Sequence, residues 1–199
     1  MSSARFIAFE GGEGCGKSTQ ARRLAEHLGA FLTREPGGTE VGVRLRALLL
    51  DPATGALDDR AEALLMLADR AQHAATVIRP HLAAGRHVVT DRYAASTLAY
   101  QGAGRGLPVD ELRSLSAWAA AGLEPDLVVL LDVPPEVAHD RLGPGRDRME
   151  GAGAAFHARV REGFLVQAAA DPERWITIEA SAGVDTVWAE VVGAVTDRL

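Results

Sequence analysis

Apolar residues recur along this chain in two rhythms. Short runs at Arg5–Phe9, Ala30–Thr33, His87–Thr90, Leu127–Asp132 and Trp175–Ile178 alternate with longer stretches whose apolar positions return every three to four residues. A strand with one wet face alternates apolar with polar. The strongest of these runs, Leu127–Asp132, does not, so the pattern predicts strands covered on both faces. The longer stretches predict helices over Gly16–Leu28 (apolar at Ala21, Leu24, Ala25 and Leu28), Val41–Leu50 and Arg60–Ala83, the last carrying Leu64, Leu65, Leu67, Val77 and Ile78. Further helices are predicted over Ala94–Tyr100, Val109–Ala121, Pro135–Leu142, Ala154–Ala170 and Val184–Leu199. Helices between unalternating strands imply an α/β fold with a five-stranded parallel sheet.

Composition narrows the class. The 199 residues suit one domain with a sizeable core, and 47% apolar with 24% charged residues is ordinary for a globular chain. No apolar run approaches the ~20 residues that cross a bilayer. Only Met1–Ala4 precede the first run, so no signal peptide is expected, and a cytoplasmic location without a membrane partner is. A net charge of −6 and the lack of a basic stripe argue against a nucleic-acid partner. One cysteine excludes an internal disulfide. Among 21 basic residues a single lysine remains, Lys17, and the chain has no Asn.

That lysine lies in Gly11-x4-Gly16-Lys17-Ser18, the spacing of a phosphate-binding P-loop, between a predicted strand and a predicted helix. The motif makes the expected architecture a three-layer P-loop NTPase fold. Glycines let backbone N–H groups converge on phosphate oxygens, and the helix N-terminus adds a favourable dipole. Lys17 brings a compact charge to the β- and γ-phosphates, and Ser18 a ligand for Mg²⁺. The predicted nucleoside-triphosphate site comprises Gly11, Gly12, Glu13, Gly14, Cys15, Gly16, Lys17, Ser18 and Thr19, with Cys15 as a small filler. Asp91, ending the run His87–Thr90, is the preferred second Mg²⁺ partner, directly or through water. Asp132 is its rival, read as structural. Without Asn the N-K-x-D guanine reader cannot occur, and the length argues against a large motor. A small kinase remains, its second phosphate site drawn from Arg34, Arg46, Arg70, Arg92, Arg141, Arg146 and Arg148. A silent nucleotide-binding module is the alternative of another class, disfavoured by the intact Lys17, Ser18, Asp91 and Arg92.

The stretches "FEGGEGCGKST" (Phe9–Thr19), "TREPGGT" (Thr33–Thr39), "ADRAQH" (Ala68–His73), "DRYAASTLAYQG" (Asp91–Gly102) and "GRDRME" (Gly145–Glu150) occur in this order. Together they closely resemble bacterial thymidylate kinases, from about residue 5 to 178. The resemblance implies transfer of the ATP γ-phosphoryl group to dTMP with Mg²⁺, giving dTDP on the way to dTTP, in a homodimer. It implies one kinase domain over 1–199, with a mobile lid at about 142–153. The segments 60–83 and 109–121 are candidate interface helices.

By the same resemblance, Arg92 holds the dTMP phosphate and bridges toward the transferred group, Arg46 is a second phosphate contact, and Glu35 shapes the pocket. Glu13 accepts from the sugar 3′-OH and orients Arg92; a solvent-facing carboxylate is the alternative. Arg70 donates to thymine O4, Thr97 and Gln101 also read the base, and Tyr100 packs under the sugar unless it is plain core. No basic residue occupies the variable P-loop positions, which shifts the catalytic arginines to the lid. Arg146 or Arg148 is then the charge-neutralising finger, and Arg141 an ATP contact. Met66 departs from the family pattern, standing where a Phe usually stacks on thymine.

Overall fold

The computed structural model describes residues 4–141 and 147–199. Five parallel strands, β1 (Phe6–Glu10), β2 (Phe31–Arg34), β3 (Val88–Asp91), β4 (Leu127–Asp132) and β5 (Trp175–Glu179), hydrogen-bond in the order β2-β3-β1-β4-β5. The expected α/β architecture is therefore present, with strand ends shifted by one residue at most. β1 explains the missing alternation. Its Ile7 and Phe9 join one core cluster with Ala21, Leu24, Val187 and Val191, while Phe6 and Ala8 join another with Ile78 and Tyr93 on the opposite face. Both faces are dry, so every position of the strand is apolar until Glu10 ends it, itself fully buried.

The helices are α1 (Lys17–Leu28), α2 (Glu40–Leu50), α3 (Asp59–His73), α4 (Arg79–Ala83), α5 (Ala94–Thr97), α6 (Val109–Ala119), α7 (Pro135–Arg141), α8 (Ala154–Ala170) and α9 (Val184–Thr196). The single helix expected over Arg60–Ala83 is α3 and α4 joined by a π-helical segment, Ala74–Ile78, and α5 runs on through a second one, Leu98–Gly104. Such wider turns gather at functional sites, and the second carries Tyr100 and Gln101. No helix among the described residues is long and apolar enough to cross a membrane.

α3 turns several ionisable groups inward. Its buried residues are Glu62, Ala63, Leu67, Asp69, Arg70 and His73, whereas Leu64 is exposed. A helix that turns ionisable groups inward must satisfy them with partners, since burying a lone charge is costly. One such set, Arg70 with its partners Glu35, Tyr93 and Thr97, lines a cleft at the carboxyl ends of the strands, where α/β sheets bind ligands.

Candidate active site

The P-loop is pressed against its neighbours. Gly11 has φ 144°, and a Cβ there would stand 2.4 Å from the Leu131 carbonyl oxygen. Gly14 has φ 69°, with a Cβ 2.6 Å from the carbonyl oxygen of Ala138. Neither place admits a side chain, so the loop packs by backbone onto β4 and α7. Cys15 is buried in the core cluster beneath, as a filler should be. Ser18 is exposed and Thr19 half-buried in the first turn of α1. Lys17 donates from Nζ to the Gly12 carbonyl at 2.9 Å and stands 3.9 Å from the Glu13 carboxylate. The Ser18 hydroxyl donates to Asp91 Oδ2, while Asp91 Oδ1 is buried without a partner.

Arg92 joins the loop to the cleft. It has φ 73°, a left-handed conformation that a non-glycine residue adopts only when its surroundings impose it. Its N–H donates to the Phe9 carbonyl and its own carbonyl accepts from Thr90 Oγ1. The guanidinium donates to the Gly11 carbonyl (3.0 Å), Ser96 Oγ (3.0 Å), Glu13 Oε1 (2.6 Å) and the Tyr100 hydroxyl (2.9 Å). It also lies over the Tyr100 ring, 4.8 Å from the centroid. Tyr100 in turn donates to Glu13 at 2.6 Å. Burial alone would raise the Glu13 pKa; the charges of Arg92 and Lys17 and the Tyr100 hydroxyl outweigh it and hold the group at about 2. Glu13 points at Arg92, not at solvent. On the far side, Glu10 accepts from the N–H of Tyr93 (2.9 Å) and from Ser96 Oγ (2.6 Å). Burial pushes its pKa up to about 7 despite these donors and Arg92.

The cleft beside Arg92 is lined by Glu13, Glu35, Arg46, Met66, Arg70, Thr97, Tyr100 and Gln101, together with Tyr93, Ser96 and Met149. The residues that the resemblance implies at the monophosphate are therefore gathered on one surface, while Arg34, also offered for the second phosphate, is not part of that lining. Arg70, 2% exposed, donates from Nε to Glu35 (3.0 Å), from Nη1 to Ser116 (3.3 Å), and from Nη2 to the Tyr93 carbonyl (3.1 Å) and Thr97 Oγ1 (3.0 Å). One Nη1–H remains for a ligand. Behind it Glu35 bonds His73 at 3.0 Å, and His73 bonds Thr33 at 2.6 Å, a chain that fixes the carboxylate from the rear. Arg46 donates to the Pro36 carbonyl, and burial with the nearby charges of Arg34 and Arg92 pulls its pKa below the ordinary value. Three cations that oppose one another in this way favour an anion among them. Met66 lines the wall, and the only aromatic rings in the described lining are Tyr93 and Tyr100.

Two further expected arginines are not gathered there, and a third lies outside the described residues. Arg148 donates to the Leu49 carbonyl and to the buried Glu62, tying its segment to α2 and α3 rather than pointing at the P-loop. Arg141 donates to the carbonyls of Ala180, Ser181 and Ala182, away from the phosphate cradle. Arg146 lies outside the described residues, as does part of the expected lid. Asp132, the rival of Asp91, forms a two-point ion pair with Arg161 at 2.7 Å and 2.7 Å, the structural role expected of it. Glu10, Ser96, His73 and Glu62 escaped the sequence reading. The signal for two of them was present: Glu62, Met66, Arg70 and His73 recur every three to four residues along one face of α3.

These geometries agree with what the chain is similar to. The family model for thymidylate kinase matches residues 9–191. A thymidylate kinase of Bifidobacterium longum (strain DJO10A) is 50% identical over 197 residues, covering 95% of this chain and 96% of the relative. One from Solidesulfovibrio magneticus is 50% identical over 208 residues, covering 98% and 99%. The crystal structure of thymidylate kinase from Ehrlichia chaffeensis superposes with a TM-score of 0.81 at 33% identity, covering 98% of this chain and 99% of that one. The chain belongs to the thymidylate kinase family.

Proposed function

We propose that the protein transfers the γ-phosphoryl group of ATP to dTMP, giving dTDP and ADP. The observation that carries this reading is the position of Arg92, whose guanidinium touches the P-loop carbonyl of Gly11 on one side and lines the acceptor cleft on the other. A phosphate monoester has a second pKa near 6, so dTMP arrives largely as an oxyanion and needs no strong general base. The task left to the protein is to bring two polyanions in line and neutralise their charge. Backbone N–H groups of Gly11–Gly16 and the Lys17 ammonium hold the donor phosphates, Lys17 leaving its Gly12 contact to do so. Arg92 and Arg46 hold the acceptor phosphate. Glu13, ionised across the neutral range and hydrogen-bonded by Tyr100, takes the sugar 3′-OH and keeps Arg92 pointed between the phosphates.

The base sits against Met66, with the remaining Arg70 N–H on O4 and with Thr97 and Gln101 along its edge. A thioether makes softer S–aromatic contacts of ~0.3–1.5 kcal/mol, in place of ring stacking. Mg²⁺ fits Ser18 and Asp91. The unpartnered Asp91 Oδ1 beside the Ser18 hydroxyl suits an ion bound chiefly by phosphate oxygens and water, and no group of three or more acidic, His or Cys residues that could hold a metal occurs among the described residues. When bound, the ion supplies charge neutralisation at the β- and γ-phosphates.

The segment 142–153 serves as the lid, with Arg146 as its cationic finger, since Arg148 is already engaged by Glu62. We also read 1–199 as one domain, cytoplasmic, and paired as a homodimer through α3 and α6. Leu64 (59% exposed), Leu115 (42%) and Trp118 (81%) support that pairing, as large apolar side chains left in water on two helices that pack together. Coupled ADP release with dTMP, dUMP, dGMP, dCMP, AMP and thymidine tests the assignment. dTMP should be the best acceptor by a clear margin, and a panel led by any other acceptor sinks the reading.

A further inference from the structure

Glu62 is fully buried on α3 and does not line the cleft. Its Oε1 accepts from Gln101 Nε2 at 2.9 Å and from Arg105 Nε at 3.2 Å. Its Oε2 accepts from Arg105 Nη2 at 3.1 Å and from Arg148 Nη2. The two guanidinium groups keep the carboxylate ionised in a dry place, where it would otherwise take up a proton. An ionised carboxylate only accepts hydrogen bonds. The Gln101 amide therefore has one permitted orientation, with its nitrogen toward Glu62 and its carbonyl oxygen toward the cleft that Gln101 lines. Turning the amide over would set oxygen against oxygen within a buried ion-pair cluster.

We infer that Glu62 is a specificity-determining positioning residue, which fixes the Gln101 amide so that an acceptor, and not a donor, faces the base. An acceptor there selects a pyrimidine whose N3 carries hydrogen and rejects one whose N3 is a lone pair. The free Arg70 Nη1–H repeats the same choice at the next atom, favouring a carbonyl over an amino group. Both elements are locked from behind by a buried carboxylate, Glu62 for Gln101 and Glu35 for Arg70. A site built for one donor–acceptor pattern leaves its own polar groups unpaired against the opposite pattern, and that is what makes rejection strong.

The inference rests on the base-reading assignment above. Its test is the ratio of kcat/KM for dTMP to that for dCMP, measured in the wild type and in Glu62→Gln, Gln101→Met and Arg105→Met. In Glu62→Gln the neighbour can donate as well as accept, so either orientation of the Gln101 amide is satisfied. The ratio should fall about tenfold or more, with the KM for ATP unchanged within about twofold. Gln101→Met, which removes the reader itself, should lower the ratio by at least as much and keeps the test open if Glu62→Gln does not fold. Arg105→Met loosens the same cluster but leaves the Arg148 guanidinium to hold the carboxylate ionised and leaves the Glu62–Gln101 bond, so it should lower the melting temperature while keeping the wild-type ratio. A ratio that survives Glu62→Gln, or that falls equally in Arg105→Met, overturns the inference alone, because Glu62 then serves only the fold. A wild type without preference for dTMP over dCMP overturns the base-reading assignment first, and the inference with it.

Discussion

The P-loop and the arginine-lined cleft meet at Arg92 but are made of different materials. The loop uses backbone, glycine turns at Gly11 and Gly14 that tolerate no Cβ, and a single side-chain cation, Lys17. The cleft uses side chains drawn from distant segments, each held by a buried partner: Arg70 by Glu35, Gln101 by Glu62, Arg92 by Glu13 and Ser96. Backbone amides grip any phosphate chain, whatever base it carries. Fixed side-chain donors and acceptors discriminate between bases, at the cost of burying charges that must be paired. General affinity and specific selection are thus assigned to separate walls.

The largest expected effect breaks the loop side. Lys17→Ala removes its one cation without touching the glycine turns, so the fold should persist while turnover with ATP and dTMP falls roughly 10³-fold. Lys17→Arg should restore little, because a planar guanidinium cannot take the place of a compact ammonium between loop and phosphates. Coupled ADP release beside a thermal melt reads both quantities. An alanine variant with near-normal turnover would remove the lysine from the proposed mechanism.

The same contrast explains what could be read in the sequence. Loop and sheet were legible because their causes are local: a glycine spacing between strand and helix, and runs of apolar residues with no alternation. The cleft was legible only as a set of segments resembling one family. Its ties join residues distant in the chain, such as Glu62 to Arg148 and Glu10 to Ser96, each 86 positions apart, and Arg70 to Glu35, 35 apart. Periodicity can mark the face of α3 that carries Glu62 and Arg70, but it does not name the partner across the fold. Arg148 shows the limit. Its segment suggested a mobile catalytic finger, and only the fold reveals that a buried carboxylate already holds it. α3 shows a subtler one, for its leucines marked a helix, while the inward face proves to carry Glu62, Asp69, Arg70 and His73 beside Ala63 and Leu67.

A second, smaller effect compares the two carboxylates that flank Arg92. Glu13 is held at about 2, below its unfolded value of 4.5, so its contribution to stability is present above pH 4.5 and is lost as pH falls toward 2. Glu10 is raised to about 7, so its contribution is fully present below pH 4.5 and is lost as pH rises through 7. Each shift corresponds to about 3 kcal/mol at most. Melting temperature against pH should therefore rise faster from pH 2 to 4.5 in the wild type than in Glu13→Gln. Between pH 4.5 and 7 Glu10→Gln should remove a decline that the wild type shows. Equal slopes for wild type and Glu10→Gln in that window would mean that the Glu10 carboxyl ionises at its ordinary value.

The smallest effect sharpens the boundary between the two walls. Tyr100 gives one proton to Glu13 and accepts one from Arg92, while its ring lies under the guanidinium and packs edge-on against Phe156 and Phe164. Tyr100→Phe keeps the ring, its packing and the cation–π contact, and deletes only the hydroxyl. Glu13 and Arg92 retain their direct 2.6 Å bond, so the ion pair survives but has one restraint fewer. A lost hydrogen bond to charged partners is worth ~1.5–3 kcal/mol when nothing replaces it. Water can enter here beside a ligand cleft, so about 1 kcal/mol, roughly fivefold in kcat/KM for dTMP, is the expected loss. The KM for ATP should not move, since the loop glycines and Lys17 are untouched. If Tyr100→Phe instead weakens ATP and dTMP alike, Arg92 is positioned for both nucleotides through this one hydroxyl, and the two walls form a single network.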